Sequence, residues 1–161
     1  MRCIICAKNA HTNLCDYHDI DYKWDSEIKG YRLKQRGRGS RYNTHKYHIT
    51  ETKLAKIIES LYGRSNVVVS YYPEWAISSK GVLYEYDILI KNKNIIIGYN
   101  GEQHYKFSTF FHKNKKSFQK LKSNDKIKRK LSDKNGYTFI EFGYKEPIIK
   151  DYVANKIERI I

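Results

Sequence analysis

Three β-branched and aromatic runs, at 67–72, 82–90 and 95–99, follow one another with short breaks, and this succession limits the fold more than any other feature of the chain. Val67-Val68-Val69-Ser70-Tyr71-Tyr72 ends at Pro73, which has no N–H to give to a strand ladder. Lys91-Asn92-Lys93-Asn94, just before Ile95-Ile96-Ile97-Gly98-Tyr99, has the length and residue types of a hairpin turn. The pattern predicts three strands in a row, the last two joined as a hairpin.

Helical periodicity flanks them. Thr50 is a candidate N-cap for a helix carrying Leu54, Ile57, Ile58 and Leu61, with Gly63 as its stop. Phe118, Leu121, Ile127 and Leu131 mark a second helix over 117–135 that ends at Gly136, and 137–142 reads as a fourth strand. A closing helix over 148–161 places Ile149, Tyr152, Val153, Ile157 and Ile160 on one face. The order from residue 50 onward is α-β-β-β-α-β-α, which predicts a mixed α/β (α+β) domain over 50–161.

A chain of 161 residues fits one ordinary domain with a small appendage. Lys and Arg number 31 against 17 Asp and Glu, a formal charge of +14, so a polyanion, and DNA first, is the expected partner. The sequence has no run of about 18 apolar residues and no basic arm leading into a short apolar stretch. Neither a membrane partner nor secretion is expected; the expected setting is intracellular, in a compartment that contains DNA. Richness in Ile, Lys, Asn and Tyr also fits the AT-rich genome of a phage or virus.

All three cysteines lie in the first fifteen residues, too few and too oddly numbered for a secreted disulfide framework. With His18 they form C-x2-C-x8-C-x2-H, in which Cys3 and Cys6 are one pair and Cys15 and His18 the other. Zinc takes four such ligands in a tetrahedron, and two intervening residues let one tight turn present both members of a pair. The expectation for 1–22 is a structural zinc module, with His11 as a competitor for the fourth ligand and metal-free thiols as the plain alternative. Such a module should depend on its ion, so chelation should unfold 1–22 and leave the rest intact. The following stretch, 23–49, is polar and basic, and Lys34-Gln35-Arg36-Gly37-Arg38-Gly39-Ser40-Arg41 has no period that could bury a face. It is expected to be a flexible basic linker.

Cutting a phosphodiester calls for one or two magnesium ions held by carboxylates and a group that handles the attacking water. Asp87 is the first candidate ligand, on a segment where alternation puts Glu85 and Asp87 on one face and Tyr86 and Ile88 on the other. The next strand ends in a polar cluster, Asn100-Gly101-Glu102-Gln103-His104-Tyr105. Glu51 opens the first helix, where the macrodipole alone would favour an acid. Asp125 and Lys128 share a helix face with Leu121, for which an ordinary solvated pair is the plainer reading.

These residues resemble the PD-(D/E)XK nuclease superfamily, most closely its very-short-patch-repair-like and phage or intron-encoded homing endonuclease branch. The resemblance covers about 50–142 and rests on Glu51, Asp87, the segment Gly98-Tyr99-Asn100-Gly101-Glu102-Gln103-His104-Tyr105, and Asp125 with Lys128. In that branch the segment reads Glu-Tyr-Asp/Asn-Gly-x-Gln-His. The resemblance implies a restriction-endonuclease-like core α-β-β-β-α-β and a magnesium-dependent DNA endonuclease. Asp87 would hold Mg2+ with Glu51 in support, Asn100 would stand on the face of position 98, and Gln103 and His104 would face the scissile phosphate. An imidazole such as His104 suits general base or leaving-group acid work. The departure is Gly98, where the pattern has its second metal-binding carboxylate. Three readings follow: an inactivated endonuclease, a natural loss of activity, or a rearranged site in which Glu51, Glu85 or Glu102 replaces the missing acid. The alternative from another class is a non-catalytic, zinc-containing nucleic-acid-binding regulator on the same fold.

DNA phosphates would be met by Arg36, Arg38 and Arg41 in the linker and by Lys113, Lys115, Lys116 and Lys128 around the second helix. Tyr105, Phe107, Phe110 and Phe111 follow the polar cluster and would either wedge into a duplex or cover the sheet. The terminal helix and this aromatic loop are candidate homodimer surfaces.

Overall fold

The computed structural model describes residues 2–6, 13–14, 22–33 and 49–161. Their architecture is mixed α/β, a six-stranded sheet with three α-helices among the described residues. The strands β1 (Tyr22–Asp25), β2 (Gly30–Leu33), β3 (Val67–Pro73), β4 (Tyr86–Ile90), β5 (Ile95–Asn100) and β6 (Thr138–Gly143) lie side by side in chain order. The helices are α1 (Ile49–Tyr62), α2 (Lys115–Lys134) and α3 (Lys150–Glu158). Neighbours from β1 to β5 are antiparallel, whereas β5 and β6 are parallel, because α2 carries the chain back before β6 begins.

The isoleucine runs form the centre. Ile88, Ile90, Ile95, Ile97, Ile140 and Phe142 are buried on one face with Leu54 and Ile58 of α1 and Val153 and Ile157 of α3. Val68, Leu89 and Ile96 point to the other face, where Tyr71, Tyr86 and Ile28 join them and Leu131 of α2 packs on top. Burying each such side chain stabilises the fold by about 1.5–3 kcal/mol, so two apolar layers around one sheet account for its cohesion. Between β4 and β5, Lys91–Lys93 form a single 3-10 turn, closed by Asn94 in the left-handed region at φ 52°.

The helix order agrees with the periodicity, but several details differ. Helix α1 begins at Ile49, so Thr50 lies in its first turn rather than at its cap. The second helix starts earlier than its apolar pattern, because the Asn114 side chain accepts a hydrogen bond from Ser117 N–H and caps it. Ile127 on α2, and Ile149 and Ile160 around α3, face solvent, while Ile148 is buried. The run at 82–90 pairs as a strand only from Tyr86 onward.

Two larger expectations need correction. The span 23–49 is not linker throughout: β1 and β2 form a hairpin that adds to the sheet edge at Tyr31↔Tyr72. Ile28 in its turn is buried against the core, and its carbonyl accepts the Tyr71 hydroxyl at 2.7 Å. The described part of 1–22 is not a separate module either. Cys3, Ile5 and Leu14 share a cluster with Tyr31, Tyr72 and Leu83, and Leu83 N–H donates to Ile4 O at 2.7 Å. Few apolar residues suffice there because the sheet supplies the other half of the core. Cys15, His18 and His11, with Arg36, Arg38 and Arg41, lie outside the described residues.

Candidate functional site

Asp87 stands at the head of β4. The β4–β5 pairing ends at Ile88↔Ile97, and Asp87 and Gly98 are the next residues beyond that last pair. Tyr99 N–H donates to Asp87 Oδ2 at 2.6 Å, which ties the carboxylate to the neighbouring strand. The predicted alternation through this segment is broken. Ser70 on β3 adopts φ 56°, a left-handed backbone uncommon outside glycine. Val69 therefore packs toward α1 while Tyr71 packs toward α2, and across the pair Ile88 and Tyr86 likewise go to opposite faces.

Glu51, in the first turn of α1, lies close enough to feel this centre. Burial pushes its carboxyl up to about 8, the nearby charges of Asp87 and Glu85 push the same way, and Lys128 opposes them. Lys128 thus reaches inward from α2: its Nζ lies 5.1 Å from the centre of the Tyr86 ring, and its carbonyl accepts the Tyr86 hydroxyl at 2.9 Å. Lys128 is half-buried, whereas the other lysines expected to meet phosphate are exposed. Glu85 is occupied on both oxygens, by the Ser70 hydroxyl and by the Tyr72 hydroxyl at 2.8 Å.

Gly98 is buried, and the Phe139 ring stands over it. A Cβ at position 98 would meet Phe139 Cζ at 2.9 Å, closer than real contacts allow. The ring is itself braced, with the Arg129 guanidinium 5.1 Å from its centre and Tyr86 edge-on at 6.2 Å. On the far side Gly98 pairs with Glu141 of β6, a residue the sequence reading missed. Glu141 accepts from the Tyr105 hydroxyl at 2.7 Å and from Arg129 at 3.0 Å. Its only signal in the sequence is one acid in the alternation Thr138-Phe139-Ile140-Glu141-Phe142.

The polar cluster after β5 folds as a 3-10 turn over Glu102–His104. His104 Nδ1 lies 2.8 Å from Asp125 Oδ2, so Asp125 also faces inward rather than solvent. The Gln103 carboxamide folds back against Gly101, in space any Cβ there would fill. Asn100 ends β5, half-buried. The sheet end therefore gathers Asp87, Gly98, Asn100 and Glu141, with Glu51 near on one side and His104 and Asp125 on the α2 side. Lys113, Lys115 and Lys116 are exposed, as a phosphate-contacting role requires.

Among the described residues no group of three or more His, Cys, Asp or Glu side chains gathers to hold a metal. Asp87 is tied to Tyr99, Glu85 to two hydroxyls, and position 98 offers no side-chain oxygen. Of the expected zinc ligands, Cys3 is buried and Cys6 half-buried on one turn.

No helix among the described residues is long and apolar enough to cross a membrane. No protein-family model matches the chain, and no solved structure matches it. The chain is 42% identical over 62 residues to uncharacterized protein 307L of Invertebrate iridescent virus 6, covering 38% of this chain and 32% of that protein. It is 42% identical over 48 residues to uncharacterized protein 033L of Invertebrate iridescent virus 3, covering 30% and 25% of the two. The matched segments thus span a third or less of either relative, and these similarities suggest a viral origin.

Proposed function

We propose that this protein binds nucleic acid, DNA first, on a PD-(D/E)XK-like endonuclease scaffold whose hydrolytic centre is disabled at Gly98. The observation that carries the reading is the Asp87 carboxylate bound to the N–H of Tyr99, next to Gly98 and just beyond the last β4–β5 pair, where that scaffold sets its two metal-binding acids. The order α1-β3-β4-β5-α2-β6, with an antiparallel trio and one parallel strand, supports it. So do the desolvated Glu51 beside Asp87 and the His104–Asp125 pair on the same edge. The formal charge of +14 and the exposed lysines favour a polyanionic partner. Losing one of two acidic ligands weakens a magnesium site severely, since that ion relies on one or two carboxylates. The active-endonuclease reading therefore applies to the scaffold, and this chain is its binding form. Cys3 and Cys6 would hold a structural zinc ion with Cys15 and His18.

The test is cleavage of supercoiled plasmid and branched DNA with Mg2+ or Mn2+, for this chain and for Gly98→Glu/Phe139→Leu. We expect tight binding without cutting from the first and cutting from the second. Absence of DNA binding by this chain, or a folded double variant that binds and never cuts, overturns the proposal.

A further inference from the structure

We infer that the turn at 107–112 is a stacking element for unpaired nucleobases, with Phe110 and Phe111 as its contact surface. This rests on the nucleic-acid-binding part of the function proposed above.

The turn is built from within. His112 N–H and Phe111 N–H donate to Ser108 O at 2.8 and 3.2 Å, and Phe110 N–H donates to Ser108 Oγ at 3.2 Å. The His112 side chain lies beneath, 6% exposed, stacked on Phe107 at 5.7 Å and edge-on to Phe118 of α2 at 4.9 Å. Its Nε2 has no hydrogen-bond partner among the described residues.

The outer surface is apolar. Phe110 is 86% exposed and Phe111 48%, and the two rings meet edge-to-face at 4.9 Å. Leaving them in water contributes nothing to folding, so they are suited to cover by a partner.

Charge selects the partner. No acidic residue occurs anywhere in 106–124, which contains Lys106, Lys113, Lys115, Lys116, Lys120 and Lys122. On α2 the exposed Lys115, Lys116, Lys120, Lys122, Lys126 and Lys130 fall on one side of a helix about 30 Å long. That is a linear track of cations leading from an aromatic tip. It matches a strand whose phosphates follow the track while a base stacks on the rings, because every base presents a π-face. The turn begins three residues after His104 and packs on Phe118, about two turns of α2 before Asp125, the partner of His104.

The experiment measures binding of this chain, Phe110→Ala/Phe111→Ala, and Lys115→Ala/Lys116→Ala to three probes. These are a single strand carrying 2-aminopurine, the same sequence as a fully paired duplex, and vesicles containing anionic phosphatidylserine. The aromatic variant should weaken single-strand binding about ten- to a hundredfold and abolish the 2-aminopurine quenching, while leaving duplex affinity and the salt slope within about threefold. The lysine variant should weaken both nucleic acids and flatten the salt slope. Equal losses on strand and duplex, no loss on either, or a loss confined to vesicles overturns the inference. If the parent chain binds DNA but the aromatic variant behaves like it, only this inference fails. If the parent binds no nucleic acid, the proposed function fails first. Both phenylalanines are exposed, so an unchanged melting temperature verifies that the variant is folded.

Discussion

The Phe139 ring stands where the side chain of residue 98 would begin, 2.9 Å from the Cβ position that Gly98 leaves empty. The two residues are sterically coupled, and a carboxylate at 98 must displace an aromatic ring held by Arg129 and Tyr86.

Gly98→Glu alone should therefore destabilise the protein by about 1–3 kcal/mol, as overpacking does. Adding Phe139→Leu should recover most of that loss, so the two changes are non-additive. Urea denaturation of the four proteins in this cycle reads the coupling. Additive effects would mean that the ring moves aside freely.

Glu51 gives a pH signature. Its folded carboxyl holds its proton up to about 8 against an ordinary value of 4.5, through burial and then the charges of Asp87 and Glu85. A carboxyl raised in this way favours folding fully below its unfolded pKa, and that contribution is lost as pH rises through the folded value. Glu51→Gln removes the charge and keeps the shape. It should be more stable than the parent by about 1–3 kcal/mol above pH 8, with the gap closing toward pH 4.5. A gap independent of pH would show that Glu51 is not held in this environment.

His104 and Asp125, 2.8 Å apart, should behave as one unit. Asp125→Ala removes the partner of Nδ1 and should cost about 1 kcal/mol. His104→Ala in that background should then cost less than it does in the parent. Chemical denaturation of the double-mutant cycle measures this, and strictly additive losses would argue that the contact contributes nothing.

Much of the fold was legible because its strands are long apolar runs and its helices are cleanly periodic. What escaped notice had physical causes. The β1–β2 hairpin is written in Tyr22-Lys23-Trp24-Asp25 and Gly30-Tyr31-Arg32-Leu33, which mix charges into an edge and carry no apolar run. Ile28, the residue that anchors it, sits in a turn. The break of alternation at Asp87 depends on the backbone of Ser70, far away in sequence. At the site, Asp87 was singled out from its residue type and strand position, whereas the roles expected of Gly98 and His104 came from the family resemblance. Glu141 and the inward course of Asp125 and Lys128 depend on how α2 and β6 lie against β5, which no local pattern encodes.

The N-terminal residues should melt with the sheet. Cys3, Ile5 and Leu14 share a cluster with Tyr72 and Leu83, so Leu14→Ala should lower global stability by about 2–4 kcal/mol in one transition. If zinc binds there, chelation should lower the same single transition. A separate early transition, with the main one unchanged, would restore the picture of an independent module.

On the function proposed above, Gly98 leaves the cation site of a nuclease-type scaffold incomplete, and calorimetric titration with Mn2+ reads that loss. No saturable binding is expected of this chain once any bound zinc is accounted for, and one saturable site in Gly98→Glu/Phe139→Leu that Asp87→Asn abolishes. Equal Mn2+ binding by the parent and the double variant would contradict it.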